Sequence, residues 1–297
     1  MKIGYPCINQ TLDCSTNKTF RLRSYSESRL KDTLQNNLNC LLKILDYNVK
    51  NNILFFRISS DLVPFASHPV CRFQWYDYFK KDFKKIGQFI KKHNIRISMH
   101  PDQFTLINSP RKDVLERSVS ELIYHARILD VMELDETAKI QIHVGGVYGD
   151  KQRSMIVFVE RYKKLPKAVL RRLVIENDDR SYTLADCLRI HKKTNIPVLF
   201  DVFHHSLNNS GESLKECLKS ATKTWKKKDG ILMTDYSLQK KNAKKGTHVY
   251  TISISDFKKF LRESKPYDFD IMLEIKDKEK SAKKAILAAK SDKRWKC

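Results

Sequence analysis

Eight short β-type runs alternate with helix-patterned segments from one end of this chain to the other, and few folds accept that alternation. The runs are Lys2–Tyr5, Ile53–Ile58, Ile95–Met99, Ile140–Val144, Leu173–Glu176, Val198–Asp201, Ile231–Thr234 and Ile271–Glu274. Between them apolar residues recur three and four apart over Leu30–Leu45, Phe79–Ile90, Val114–Met132, Met155–Tyr162, Leu184–His191, Leu214–Ala221 and Phe257–Leu261, and Ala282–Lys290 supplies an eighth such segment. Ser213, Ser255-Asp256 and Pro110 are helix-opening signals for three of them. Strands in strict alternation with crossover helices build a parallel sheet. Eight units over 297 residues average about 37 residues each, the size expected of an α/β (β/α)8 TIM barrel with some longer loops. An open doubly wound sheet is the runner-up. It carries a glycine-rich phosphate loop after its first strand, where this chain reads Tyr5-Pro6-Cys7-Ile8-Asn9. A single barrel domain is therefore expected over residues 1–290, with 291–297 a basic tail open to disorder.

Charge narrows the partner. Lys and Arg number 57 against 34 Asp and Glu, a net charge of +23, and such an excess calls for a polyanion. The sequence offers no amphipathic basic helix, lipidation motif, secretory leader or apolar stretch near the roughly 18 to 20 residues of a membrane span. Nucleic acid thus ranks ahead of a membrane surface, and a cytoplasmic, DNA-associated location is expected. Seven cysteines at scattered spacings, with no Cys-x-x-Cys pair, suggest neither a disulfide framework nor a zinc ribbon, and fit a reducing compartment.

A barrel of this kind builds its active site at the C-terminal ends of the strands. Those positions hold His100, His143, Glu176, Asp201 with His204, Asp235 and Glu274, while His68 and His248 lie in loops that follow strands. A lone histidine at a strand end is usually a loop side chain bonded to backbone. Here five of the nine histidines fall in the expected mouth, a partition that the bland reading does not explain. Imidazoles mixed with carboxylates and free of cysteine suit Mn²⁺ or Zn²⁺, and are too nitrogen-rich for Ca²⁺ or for Mg²⁺ alone. The set is large enough for two or three ions, and Glu176 is the expected bridge. Ions about 3.5 to 4 Å apart can generate a hydroxide nucleophile and stabilise both oxygens of an in-line phosphoryl displacement. On a polyanion-binding surface, that chemistry is a nuclease's.

The local sequence adds a resemblance. Gly4-Tyr-Pro-Cys7, Arg57-Ile-Ser-Ser60, Pro64–Pro69, His100-Pro-Asp-Gln-Phe104, His143–Lys151, Glu176-Asn-Asp-Asp179 and Met272–Lys278 resemble, in order and over nearly the whole chain, the ultraviolet-damage endonuclease family. The block His143–Lys151 is the most specific. The resemblance implies a barrel related to endonuclease IV, up to three divalent ions, commonly Mn²⁺, and nicking of duplex DNA without ATP. The cut falls immediately 5′ of a cyclobutane dimer, a 6-4 photoproduct or an abasic site and leaves a 3′-hydroxyl and a 5′-phosphate. Carried over residue by residue, it implies one ion on His100, His143 and Glu176, a second on Glu176, Asp201 and Glu274, and a third on His204 and His248. His68 stands at the edge, and Glu176, His68 and Lys151 are the expected catalytic residues. One strand departs from the pattern. Family members often carry Lys-x-His at the end of the seventh strand, where the lysine can be carboxylated; here Met233 and Asp235 stand there. Asp235 still offers oxygen to an ion, whereas Met233 suits hard metals poorly and reads equally well as a barrel-interior residue.

For damage recognition the resemblance implies that Gln103 and Phe104 probe the stack, in place of the family's usual Gln-Tyr, that Tyr5 and Asn9 border the lesion pocket, and that Lys151 meets a phosphate. A photodimer weakens stacking, so extrusion of damaged nucleotides costs less than for normal bases. Lys80–Lys85, Lys223–Lys228 and Lys240–Lys245 are candidate duplex contacts, the last with more weight because it precedes His248. Damaged double-stranded DNA is the expected partner and a monomer the expected state. The alternatives are a metal-dependent sugar isomerase or epimerase on the same type of barrel, and a non-catalytic DNA-binding relative with a degenerate ligand set.

Overall fold

The structure, a computed structural model, describes residues 1–295. All eight runs are strands: β1 (Ile3–Pro6), β2 (Phe55–Ile58), β3 (Arg96–Met99), β4 (Lys139–His143), β5 (Leu173–Glu176), β6 (Val198–Asp201), β7 (Leu232–Tyr236) and β8 (Phe269–Leu273). They pair in parallel in sequence order, and β8 returns to β1 to close the barrel. Helices cover the outside of such a barrel, so its strands read as near-continuous apolar runs. The helices Glu27–Lys50, Lys80–Lys92, Lys112–Val131, Lys151–Tyr162, Leu184–Thr194, Leu214–Thr222, Ile254–Glu263 and Glu279–Ala289 contain the expected segments to within a few residues at each end. Ser213 caps its helix as expected, in a reciprocal box with Glu216. The opening at Ser255-Asp256 moves back two residues: Ser253 is the cap and accepts from the Asp256 N–H. The Pro110 helix begins only at Lys112.

Side chains alternate along a strand, and the inward set falls into layers. At the bottom Arg96 pairs with Asp270 at 3.3 Å and Lys139 with Asp229 at 2.5 Å. Above them Phe55, Val174, Leu199, Met233 and Met272 form an apolar layer, all fully buried. Met233 is thus a barrel-interior residue packed away from polar partners. Two residues further along those same strands stand Arg57, Glu176, Asp201, Asp235 and Glu274. Gly4 lets β1 approach β2, because a Cβ there would run into the Phe55 carbonyl.

Three expectations change. Cys14 and Cys40, 26 residues apart, form a disulfide between the loop after β1 and the first helix, an approach that spacing alone does not reveal. The run Lys223–Lys228 leads into β7, so it sits at the end of the barrel opposite the mouth, where Lys228 pairs with Glu136 at 3.0 Å. The tail is held through Trp295: the amino terminus donates to the Arg294 carbonyl at 2.6 Å, and the Arg294 guanidinium donates to the Tyr267 carbonyl at 2.7 Å. Lys296 and Cys297 lie outside the described residues. Among the described residues no helix is long and apolar enough to cross a membrane.

Candidate metal centre

Three of the expected ligands meet at one atom. The Nε2 nitrogens of His100, from the end of β3, and His143, the last residue of β4, each lie 3.0 Å from Oε1 of Glu176, the last residue of β5. Register makes this possible, since His143 is the Cα partner of Glu176 in the β4–β5 ladder. His100 Nδ1 sits 2.7 Å from the Pro101 carbonyl, His204 Nδ1 3.0 Å from the Asn177 carbonyl and His248 Nδ1 2.8 Å from the Glu274 carbonyl. A carbonyl can only accept, so each of these rings donates from Nδ1 and, when neutral, keeps its lone pair on Nε2. Such backbone-anchored imidazoles are the usual orientation of metal-binding histidine. A lone pair facing a carboxylate oxygen at 3.0 Å needs a cation between them or a proton on the ring.

The carboxylates follow the same geometry. Asp201 ends β6 and caps the short helix Val202–Leu207, accepting from the His204 N–H at 2.7 Å, with its other oxygen 3.3 Å from His204 Nδ1. Glu274 follows β8, with His248 Nε2 3.9 Å away. Two donor groups lie within 4.8 Å of one another, His100 with His143 and Glu176, and Glu176 with Asp201 and Asp235. Electrostatics keep the set polarised. Burial pushes the Glu176 carboxyl up, but the His143 and His100 rings outweigh it and hold it down at about 2. Burial likewise pushes the Asp201 carboxyl up to about 7, against the pull of His204. The His204 ring is opposed by burial, yet Asp201 and Glu176 raise it to about 10. The donor chemistry and the convergence of nitrogens on one carboxylate fit a divalent ion.

Two residues that sequence reasoning did not assign are built into this layer. Arg57, on β2, is buried; burial opposes its charge, but Asp235 and Glu274 outweigh that and keep the guanidinium protonated. Gln141, on β4, donates from Nε2 to Glu176 Oε2 at 2.8 Å and to Asp235 Oδ2 at 2.7 Å. The available signal was strand parity, because Gln141 lies two residues before His143 and Arg57 two after the inward Phe55.

Other expected residues stand outside the cluster. His68 is exposed and lines a cleft of about 490 Å³ with Asp102, Phe104 and Glu121, its Nδ1 accepting from the Val70 N–H at 3.1 Å. Phe104, beside Gln103 on the loop after β3, is 72% exposed and projects from the mouth. Tyr5 and Asn9 are buried: the Tyr5 hydroxyl donates to Asn48 at 2.7 Å and accepts from Asn9 at 2.8 Å, so neither side chain faces open solvent. Lys151 opens its helix but pairs with Asp186 and lies over the Tyr182 ring. The Lys240–Lys245 run forms a loop closed by a bridge between Gln239 and His248, which places it against the centre.

A parallel eight-stranded barrel with a histidine–carboxylate cluster at its mouth defines a (β/α)8 barrel whose donors could hold a metal ion. Endonuclease IV from Thermus thermophilus shares the fold alone, at 12% identity and a TM-score of 0.52 over 78% of this chain and 87% of its own length. The profile of the family described as UV-endonuclease UvdE matches residues 1–290. A UV DNA damage endonuclease of Clostridium perfringens is 44% identical over 292 residues, 98% of this chain and 71% of the relative. The crystal structure of SacUVDE superposes with a TM-score of 0.95 at 45% identity, covering 99% of this chain and 100% of that one. The chain belongs to the UV-damage endonuclease family, and it is an endonuclease.

Proposed function

We propose that this enzyme nicks duplex DNA immediately 5′ of cyclobutane dimers, 6-4 photoproducts and abasic sites, leaving a 3′-hydroxyl and a 5′-phosphate, with the cut made at the His100–His143–Glu176 centre. The observation that carries the proposal is the convergence of two imidazole nitrogens on one buried carboxylate oxygen in a barrel of this family. His100, His143, Glu176, Asp201, His204, His248 and Glu274 would hold the ions; the mixed nitrogen and oxygen donors suit Mn²⁺ or Zn²⁺, the family resemblance favours Mn²⁺, and Zn²⁺ or Mg²⁺ are the alternatives. Bound ions of this kind supply an activated hydroxide and stabilise the charge on the leaving oxygen.

The chain's own residues do the rest. Gln103 and Phe104 stand free at the mouth and enter the stack opened by the lesion, where an aromatic wedge kinks the duplex and fills the gap. The loop Lys240–Lys245 holds the backbone beside His248. Lys151 exchanges Asp186 for a phosphate, and His68 borders the cleft next to Phe104. The protein acts as a monomer on damaged double-stranded DNA in the cytoplasm.

Nicking of ultraviolet-irradiated plasmid, with and without Mn²⁺ after chelation, tests the reading against its alternatives. A non-catalytic relative binds and never cuts, and a sugar isomerase turns over free sugar without affinity for DNA. Glu176→Gln should lower nicking by more than the roughly 10- to 100-fold typical of residues that merely support a ligand, while band-shift affinity for irradiated duplex stays close to that of the parent.

A further inference from the structure

Arg57 is the cation that the fold itself places among the carboxylates. Its Nη2 donates to both oxygens of Asp235, at 2.8 and 2.7 Å, and to Gln141 Oε1 at 2.7 Å, while Nη1 donates to Glu274 Oε1. The Gln141 amide is fixed in one sense by these partners. Its oxygen faces the guanidinium and its nitrogen faces the carboxylates of Glu176 and Asp235; the flipped amide would set an oxygen against two acids.

We infer that Arg57 is a resident cation of this centre and that Asp235 serves Arg57 rather than a metal, so that the chain holds two divalent ions rather than the three that the family resemblance implies. The inference rests on the metal-centre reading above. Asp235 is fully buried; its Oδ1 accepts from Arg57 and its Oδ2 from Arg57 and Gln141. Glu274 and Asp201 differ: Glu274 turns Oε2 toward His248 Nε2 at 3.9 Å, and Asp201 accepts from the His204 N–H and faces that ring's Nδ1 edge rather than a guanidinium. Among the described residues, the group of donors through which an ion could reach Asp235 is that with Glu176 and Asp201. Recruiting Asp235 there would weaken its contacts with a buried guanidinium and leave Glu274 as that cation's remaining carboxylate partner, and disrupting a buried ion pair is unfavourable. Met233, two residues earlier on β7, is committed to the apolar layer and supplies nothing in its place.

The test is a metal count on the full chain, stripped by chelation, loaded with Mn²⁺ and passed through a desalting column before elemental analysis. Two Mn²⁺ per chain are expected in the parent protein. Asp235→Asn should also bind two, with Mn²⁺ affinity within about threefold, whereas Glu176→Gln should bind fewer. Three ions in the parent overturn the inference, and so does the loss of an ion from Asp235→Asn at an unchanged melting temperature. If Asp235→Asn melts early, the count on the parent decides by itself. A parent that binds no ion and never nicks irradiated plasmid sinks the metal-endonuclease reading altogether, whereas one that nicks and holds three ions sinks only the role given to Arg57.

Discussion

Glu176 and His125 show how differently burial treats two ionisable side chains of one barrel. Glu176 is buried among imidazoles that stabilise its charge. His125, on the outer helix Lys112–Val131, is buried with weaker support: Nδ1 bonds the Glu121 carbonyl at 2.8 Å with a Glu121 carboxylate oxygen 3.5 Å away, and Nε2 has no hydrogen-bond partner among the described residues. Burial therefore pushes its ring down to about 4 from an ordinary value near 6.5, with the Glu121 carbonyl opposing. The unfolded chain binds this proton over the interval from about 6.5 to 4 and the folded chain does not, so stability is complete above that window and falls as pH drops through it, by on the order of 3 kcal/mol. Urea unfolding of His125→Phe should lose most of that dependence between pH 7 and 5; a slope equal to the parent's would assign the acid sensitivity elsewhere. At this scale the sequence was a partial guide. His100, His143 and Glu176 were legible because strand ends in a barrel face one mouth. Arg57 was not, because a charged residue inside an apolar run gives no sign of which carboxylates it will meet.

At the scale of elements, all eight strands and the cores of all eight crossover helices were visible as changes of period, because a fully covered parallel strand must be apolar throughout. Loops were harder to read. Gln103 and Phe104 occupy an exposed loop whose role is set by what it touches in the complex, and replacing both by alanine should depress cutting at a cyclobutane dimer several-fold more than cutting at an abasic site, which needs less unstacking. Parallel assays on the two substrates decide the point, and equal losses would remove the wedge. The lysine runs looked alike in sequence, yet Lys240–Lys245 closes a loop onto His248, whereas Lys223–Lys228 is at the far end because it precedes a strand instead of following one. Substituting Lys244 and Lys245 by alanine should lower the log–log salt slope of duplex binding by about 0.9 for each phosphate that these side chains neutralise. The same change at Lys226 and Lys227 should leave the slope where it was.

For the molecule as a whole, the excess of positive charge and the closed barrel divide the labour of binding and cutting. A net charge of +23 concentrates polyanions around a scaffold whose chemistry is confined to one rim. The length and the alternation were enough to anticipate a single barrel, while the Cys14–Cys40 bond and the anchoring of Arg294 depend on approaches between distant segments that no local pattern encodes. The layer of Phe55, Val174, Leu199, Met233 and Met272 has its own bearing on how such a centre would be filled and emptied. With the lower end of the barrel stoppered by hydrocarbon, ions and water would come and go past the imidazoles, along the route proposed for the phosphodiester. A seated duplex would then act as a cork: withdrawal of Mn²⁺ by a chelator should slow by roughly tenfold or more once an uncleavable lesion-bearing duplex is bound, and rapid withdrawal from that complex would reveal a back door.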